Sequence, residues 1–137
     1  MAIDIEPPTG TAEMTVDGAD LASVLNQRPG DGFPPVLATV RMTGLMELAA
    51  SRALHPLLQE GELSVGVTID IAHTAATPIG AKVTAEATFV AREGKLFVFE
   101  VTAHDPGGEI GRGMHKRAIV LADRLSAGAA RRCAGDA

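Results

Sequence analysis

His73 ends an alternating apolar run, "IDIAH", and the small residues of "TAAT" follow it before Pro78. Imidazole exchanges protons near neutral pH. A histidine with only small neighbours is therefore either a satisfied core ring or a base kept open to a ligand. Upstream, Thr39, Thr43 and Glu47 stand at i, i+4 and i+8, which sets them along one side of a helix. A carboxylate within "GLMELAA" is costly to bury unless it is paired or used, so Glu47 faces either solvent or a site. Thr39 falls near the helix start, where free N–H groups and the dipole favour negative charge. It serves there as an N-cap or beside a developing oxyanion.

Other chemical signals lead less far. His104 and Asp105 are adjacent at a strand end and point to opposite faces, so no metal pair is expected. The lone Cys133 has no partner for a disulfide, and no CxxC pair offers a zinc site, so no cofactor is implied. "GRGMHK" has the look of a phosphate-binding glycine loop, but it precedes a strand and not a helix. Gly111 and Gly113 mark a bulge or a close backbone approach instead. The Met42/Met46 pair reads as core.

The elements that position these residues follow from period and punctuation. Residues 1–10 read as a loose arm, and "TAEMTVD" as a first strand. Asn26–Pro35 is rich in Gly and Pro and carries one aromatic, Phe33, so it is a connector or a lid. Leu37 to Leu58 is the one long helix, which Pro56 should end or kink. Four strands of period two follow, with hairpin turns at "REGK" and "DPGGE" that imply antiparallel pairing. One helix followed by an antiparallel meander is an α+β domain whose sheet wraps the helix. Length and order suit the hotdog architecture. Residues 1–125 are expected to form that single domain, and 126–137 a disordered tail.

Composition narrows the function classes. The 137 residues are 46% apolar and 21% charged, ordinary for a globular chain. A net charge of −5, with no Trp or Tyr, argues against nucleic acid. No apolar run reaches the roughly 18 residues of a membrane span. The acidic "MAIDIEPP" lacks the features of a signal peptide, which leaves the cytoplasm as the default compartment. An anionic ligand needs a local basic patch, and Arg112–Arg117 is the densest, with Arg92 and Lys95 as possible neighbours across a hairpin.

The stretches "FPPVLATVRMTGLMELAASRALHPLL", "GVTIDIAHTAATP" and "VTAHDPGGEIGRGMHKRAIV" together resemble the fluoroacetyl-CoA thioesterase family of the hotdog superfamily, in order and at matching spacing over about residues 33 to 121. The resemblance implies a thioester hydrolase acting on a short acyl-CoA, working as a homodimer without a cofactor. By it, Thr39, Glu47 and His73 take the catalytic positions, Gly66 contacts the acyl group, Arg117 contacts substrate, and Phe33 belongs to a lid. The chain departs from the family at Gly30, where a second lid aromatic is replaced, and at Val40, Arg41, Thr43 and Leu48. A thioester needs an activated oxygen nucleophile and oxyanion donors, and little help for its thiolate leaving group. The CoA phosphates would fall to the Arg112–Arg117 patch.

A rival from another class is a non-catalytic hotdog module that binds acyl-CoA. It has no need of Thr39, Glu47 and His73 together. A hotdog hydratase would require a different His/Asp arrangement.

Overall fold

The computed structural model describes residues 5–135. Five strands form one antiparallel sheet: β1 (Gly10–Thr15), β2 (Glu62–His73), β3 (Lys82–Glu93), β4 (Leu96–Asp105) and β5 (Gly108–Leu121). Their spatial order is β1-β3-β4-β5-β2. The long helix α1 (Thr39–Leu54) lies against the sheet, and α2 (Ala122–Cys133) follows β5.

The helix forms where its apolar stripe can be covered. Met42, Leu45, Met46, Ala49, Ala50, Ala53 and Leu54 are buried against Val83, Ala85, Ala87, Phe97, Phe99, Val101 and Ala103 from the sheet. Each large side chain so buried contributes about 1.5–3 kcal/mol. The alanines bring α1 close to the strands, and Gly10 of β1 sits against the carbonyl of Ala49 with no space for a Cβ. Phe89, Phe97 and Phe99 pack together on the sheet. Phe33 is left as the one phenylalanine outside that cluster. Pro56 falls in a 3₁₀ turn, His55–Leu57, and α1 stops at Leu54 as its position requires.

Two expectations are corrected. The strands after the helix are not one meander: only β3, β4 and β5 pair in chain order, while β2 crosses to the far side and pairs β5. The segment 74–81 between β2 and β3 is a crossing and not a hairpin, since the two strands it joins are not neighbours in the sheet; it closes with a turn in which the Ala81 N–H meets the Pro78 carbonyl and Gly80 takes a positive φ. The tail is helical through Cys133 where disorder was expected. Its alanines favour helix, and Asp123 at its start and Arg131 and Arg132 at its end suit the dipole. No residue of α2 is buried, so the helix adds nothing to the core that the domain's apolar pattern outlines. Of the arm, residues 1–4, and of the tail, residues 136–137, lie outside the described residues.

Candidate active site

Helix α1 starts without a side-chain cap. Ala38 is its N-cap residue and Thr39 its first turn, so the N-cap alternative for Thr39 is set aside. The Thr39 hydroxyl instead meets His73 at the end of β2, with Oγ1 and Nδ1 2.8 Å apart. Thr43, one turn on, donates its hydroxyl to the Thr39 carbonyl at 2.8 Å.

Both partners are held by their own local networks. The Ala38 N–H donates to the Asp20 carbonyl at 2.9 Å. The buried Asp20 carboxylate accepts from the Arg41 Nε at 2.9 Å and from the Asp17 N–H at 2.9 Å. Burial alone would raise the Asp20 pKa, but the Asp17 amide and Arg41 together hold it below the usual carboxylate value. On the other side, the Thr74 N–H donates to the Ile110 carbonyl at 2.7 Å and fixes the exit from β2. The buried Thr77 donates to Asp105 Oδ2 at 2.7 Å, and its carbonyl accepts from the Leu37 N–H at 2.9 Å. Asp105 therefore ties the small-residue loop to the β4–β5 hairpin, which is a structural role.

A cleft of about 410 Å³ opens beside Thr39 and His73, lined also by Leu25, Phe33, Val40 and Ala75. Phe33 is 45% exposed. Its backbone is bracketed by the Asn26 side chain, which accepts from the Phe33 N–H at 2.8 Å and donates to its carbonyl at 3.3 Å. The His73 Nε2 is buried and has no hydrogen-bond partner among the described residues.

Glu47, Gly66 and Arg117 form a second group. The carboxylate Oε1 lies 2.9 Å from the place a Cβ on Gly66 would take, and Oε2 is 3.4 Å from Arg117 Nη1. Arg117 is 5% exposed. Its Nε donates to the Ser64 hydroxyl at 3.0 Å and its Nη2 to the Ser64 carbonyl at 2.9 Å. Burial lowers the Arg117 pKa, and Glu47 opposes that shift. Eight residues of helix separate Thr39 from Glu47, roughly 12 Å along the axis. Within one chain the three expected catalytic residues thus stand as a pair and a separate carboxylate.

The basic stretch is not an open patch. Arg112 pairs with Glu109 at 2.8 Å and Glu100 at 3.0 Å, Lys116 pairs with Glu93 at 2.7 Å, and Arg117 is buried. Gly111 and Gly113 are close approaches, to Met42 and to the β2 backbone. Ser64, Asp20 and His115 had been passed over. His115 and Arg117 stand two apart on one strand and so share a face, the spacing that links them.

Residues 16–123 match the family model described as fluoroacetyl-CoA-specific thioesterase, most of the chain's length. The chain belongs to the fluoroacetyl-CoA-specific thioesterase family. This member of the family is 46% identical over 95 residues to the fluoroacetyl-CoA thioesterase of Streptantibioticus cattleyicolor, covering 69% of this chain and 68% of that protein. It superposes with a TM-score of 0.86 on a variant of the fluoroacetyl-CoA thioesterase FlK in complex with acetyl-CoA, at 35% identity over 93% of this chain and 98% of the other. A hot-dog-like protein from Thermanaerovibrio acidaminovorans, 24% identical, gives a TM-score of 0.79 over 93% of this chain and 91% of the other, and bears on the fold alone. The fold is the hotdog, a curled antiparallel sheet on a central helix.

Proposed function

We propose that the protein is an acyl-CoA thioesterase that hydrolyses short acyl-CoA to the free acid and CoA. The observation that carries this reading is the hydrogen bond between Thr39 Oγ1 and His73 Nδ1 at 2.8 Å, at the mouth of a cleft beside the start of α1. Family membership supports the thioester chemistry.

His73 Nδ1 takes the Thr39 hydroxyl proton as Oγ1 adds to the thioester carbonyl carbon. The Thr39 and Val40 amides, in the first turn, have no carbonyl one turn back and are free to bind the oxyanion. The C–S bond then breaks, and the proton held by His73 passes to the departing sulfur. Water attacks the acyl-threonine ester with His73 as base, releasing the acid and restoring the hydroxyl. Phe33 covers the cleft as a lid and acts on acyl selectivity.

Glu47 completes the site from a second copy. Among the described residues the long outer edge of β2 has no partner strand, and an open edge of this length is ordinarily covered. A two-fold antiparallel pairing of two β2 edges about the middle of the strand would bring the His73 end of one copy alongside the Gly66 end of the other. Glu47 of the second copy, which rests on its own Gly66, then stands beside the Thr39–His73 pair. The working unit is a homodimer, and Arg117 holds Glu47 in place and contacts the acyl end, not the CoA phosphates.

The test is release of free CoA from a panel of acetyl-, fluoroacetyl-, propionyl- and longer acyl-CoA. Turnover on the short members supports the reading. Tight binding without CoA release would mark an acyl-CoA-binding module instead.

A further inference from the structure

His115 takes no part in the reaction as written, yet it lies at the centre of the buried polar cluster and is 1% exposed. Its Nδ1 is 2.7 Å from the Thr68 carbonyl oxygen, and its Nε2 is 3.1 Å from Arg117 Nη1. A carbonyl oxygen only accepts and a guanidinium nitrogen only donates. The two contacts therefore admit one state of the ring: neutral, with its proton on Nδ1 and a lone pair on Nε2. The β2–β5 register shifts between Gly66 and Thr68 and leaves Val67 without a cross-strand partner. The carbonyl just past that irregularity is the one that takes the imidazole N–H.

This ring sets the direction of Arg117. With Nε and Nη2 fixed on Ser64, Nη1 lies between His115 Nε2 and Glu47 Oε2. An imidazolium would set N–H against N–H and place two cations side by side. Burial pushes the His115 pKa below its ordinary value and the Arg117 charge adds to this, while the Thr68 carbonyl and Glu47 oppose it. Arg117 and Glu47 are the charged groups acting on the ring; its cross-strand neighbours, Ile69 on β2 and Phe99 on β4, carry none.

We infer that His115 is a positioning residue for the hydrolysis: as the neutral Nδ1–H tautomer it aims Arg117 Nη1 so that Glu47 is held against Gly66. The inference rests on the reading of Glu47 as the site's carboxylate.

Two measurements test it. In protein labelled with ¹⁵N-histidine, a long-range ¹H–¹⁵N spectrum reports the tautomer of each ring, and His115→Gln identifies the His115 signal. The expected result is a neutral Nδ1–H ring at pH 7 that stays neutral below about pH 6.5, where an ordinary histidine titrates. An Nε2–H tautomer or an imidazolium at pH 7 overturns the inference.

The second measurement is kinetic. His115→Leu removes both hydrogen bonds, whereas the Gln amide keeps one donor and one acceptor. On the best acyl-CoA, H115L should lose about 10- to 100-fold in kcat with KM changed less than about 3-fold, the scale of a misplaced group. H115Q should recover most of that loss. In a Glu47→Gln background H115L should cost nothing further, because two residues acting through one group are not additive. Wild-type kcat in H115L beside a slow E47Q overturns this inference alone, and so does an undiminished cost of H115L in the E47Q background. E47Q turning over like wild type overturns the Glu47 reading, and the inference with it. If H115L does not fold, the spectrum and H115Q decide: a folded H115Q with kcat down 10-fold or more also counts against the role.

Discussion

Glu47 rests directly on Gly66, its Oε1 2.9 Å from where a Cβ would stand on that glycine. Real Cβ atoms do not approach a side-chain oxygen that closely, so any larger residue at position 66 moves the carboxylate. Gly66 does not have the positive φ that would forbid alanine. Gly66→Ala should therefore fold, displace Glu47, and lower kcat/KM at least about 10-fold. Steady-state kinetics with a thermal melt of the same sample check this. A folded G66A with unchanged kcat/KM would remove Glu47 from the mechanism.

If Glu47 acts across the dimer, activity should reappear when two inactive proteins are mixed. Thr39→Ala keeps Glu47, and E47Q keeps Thr39 and His73, so the mixed dimer holds one complete site. Random exchange of equal amounts should restore about a quarter of wild-type activity. Sedimentation of each parent should show dimers. No recovery from chains shown to have exchanged would mean that each site is built from one chain.

Phe33 should govern which acyl groups are taken more than whether they are hydrolysed. Its side chain lines the cleft and is 45% exposed, on a loop held by Asn26 and not by the core. Phe33→Ala should shift kcat/KM among acyl-CoA substrates unequally while hydrolysis continues. The same loss on every substrate would count against a lid.

His115 makes folding stability depend on pH in a defined window. Burial first, and the Arg117 charge second, hold its folded-state pKa below the ordinary value. The unfolded ring takes up a proton near about pH 6.5. Its contribution is fully present above that pH, because neither state is protonated there. As pH falls below it, the unfolded chain binds more protons and stability drops, until the folded ring titrates too. The slope from this one group is at most about 1.4 kcal/mol per pH unit. Urea unfolding at pH 7.5 and 5.5 should show a larger loss for wild type than for H115Q. Equal losses would contradict the assignment.

Much of this was legible in the chain. Alternation in "LSVGVTIDIAHT" and the turn signals at "REGK" and "DPGGE" located β2 and the β3–β5 hairpins, because period two and turn chemistry are local properties. The crossing of β2 to pair β5 was not legible, since strand order depends on contacts far apart in sequence. Residue type and spacing single out Thr39, Glu47 and His73 but leave each a structural alternative, and their catalytic roles come from the family resemblance. Their division into a pair and a separate carboxylate follows from the length of α1, which spacing along a sequence does not convey. Arg117 reads as part of an exposed basic run; Ser64, which takes two of its hydrogen bonds, lies 53 residues away in the chain, beyond any local pattern. The tail failed for the opposite reason: α2 has helical composition and no buried face to announce it.

In the proposed mechanism His73 is the base for the Thr39 hydroxyl. The most direct test of this role is kcat of purified, folded His73→Ala on the best acyl-CoA substrate. Small neighbours and a position at the strand end leave little packing to lose, so the variant should melt as a folded protein. Removal of a general base should lower kcat by about 10²- to 10⁴-fold. A folded H73A with near-wild-type turnover would contradict the mechanism and return His73 to the role of a core histidine.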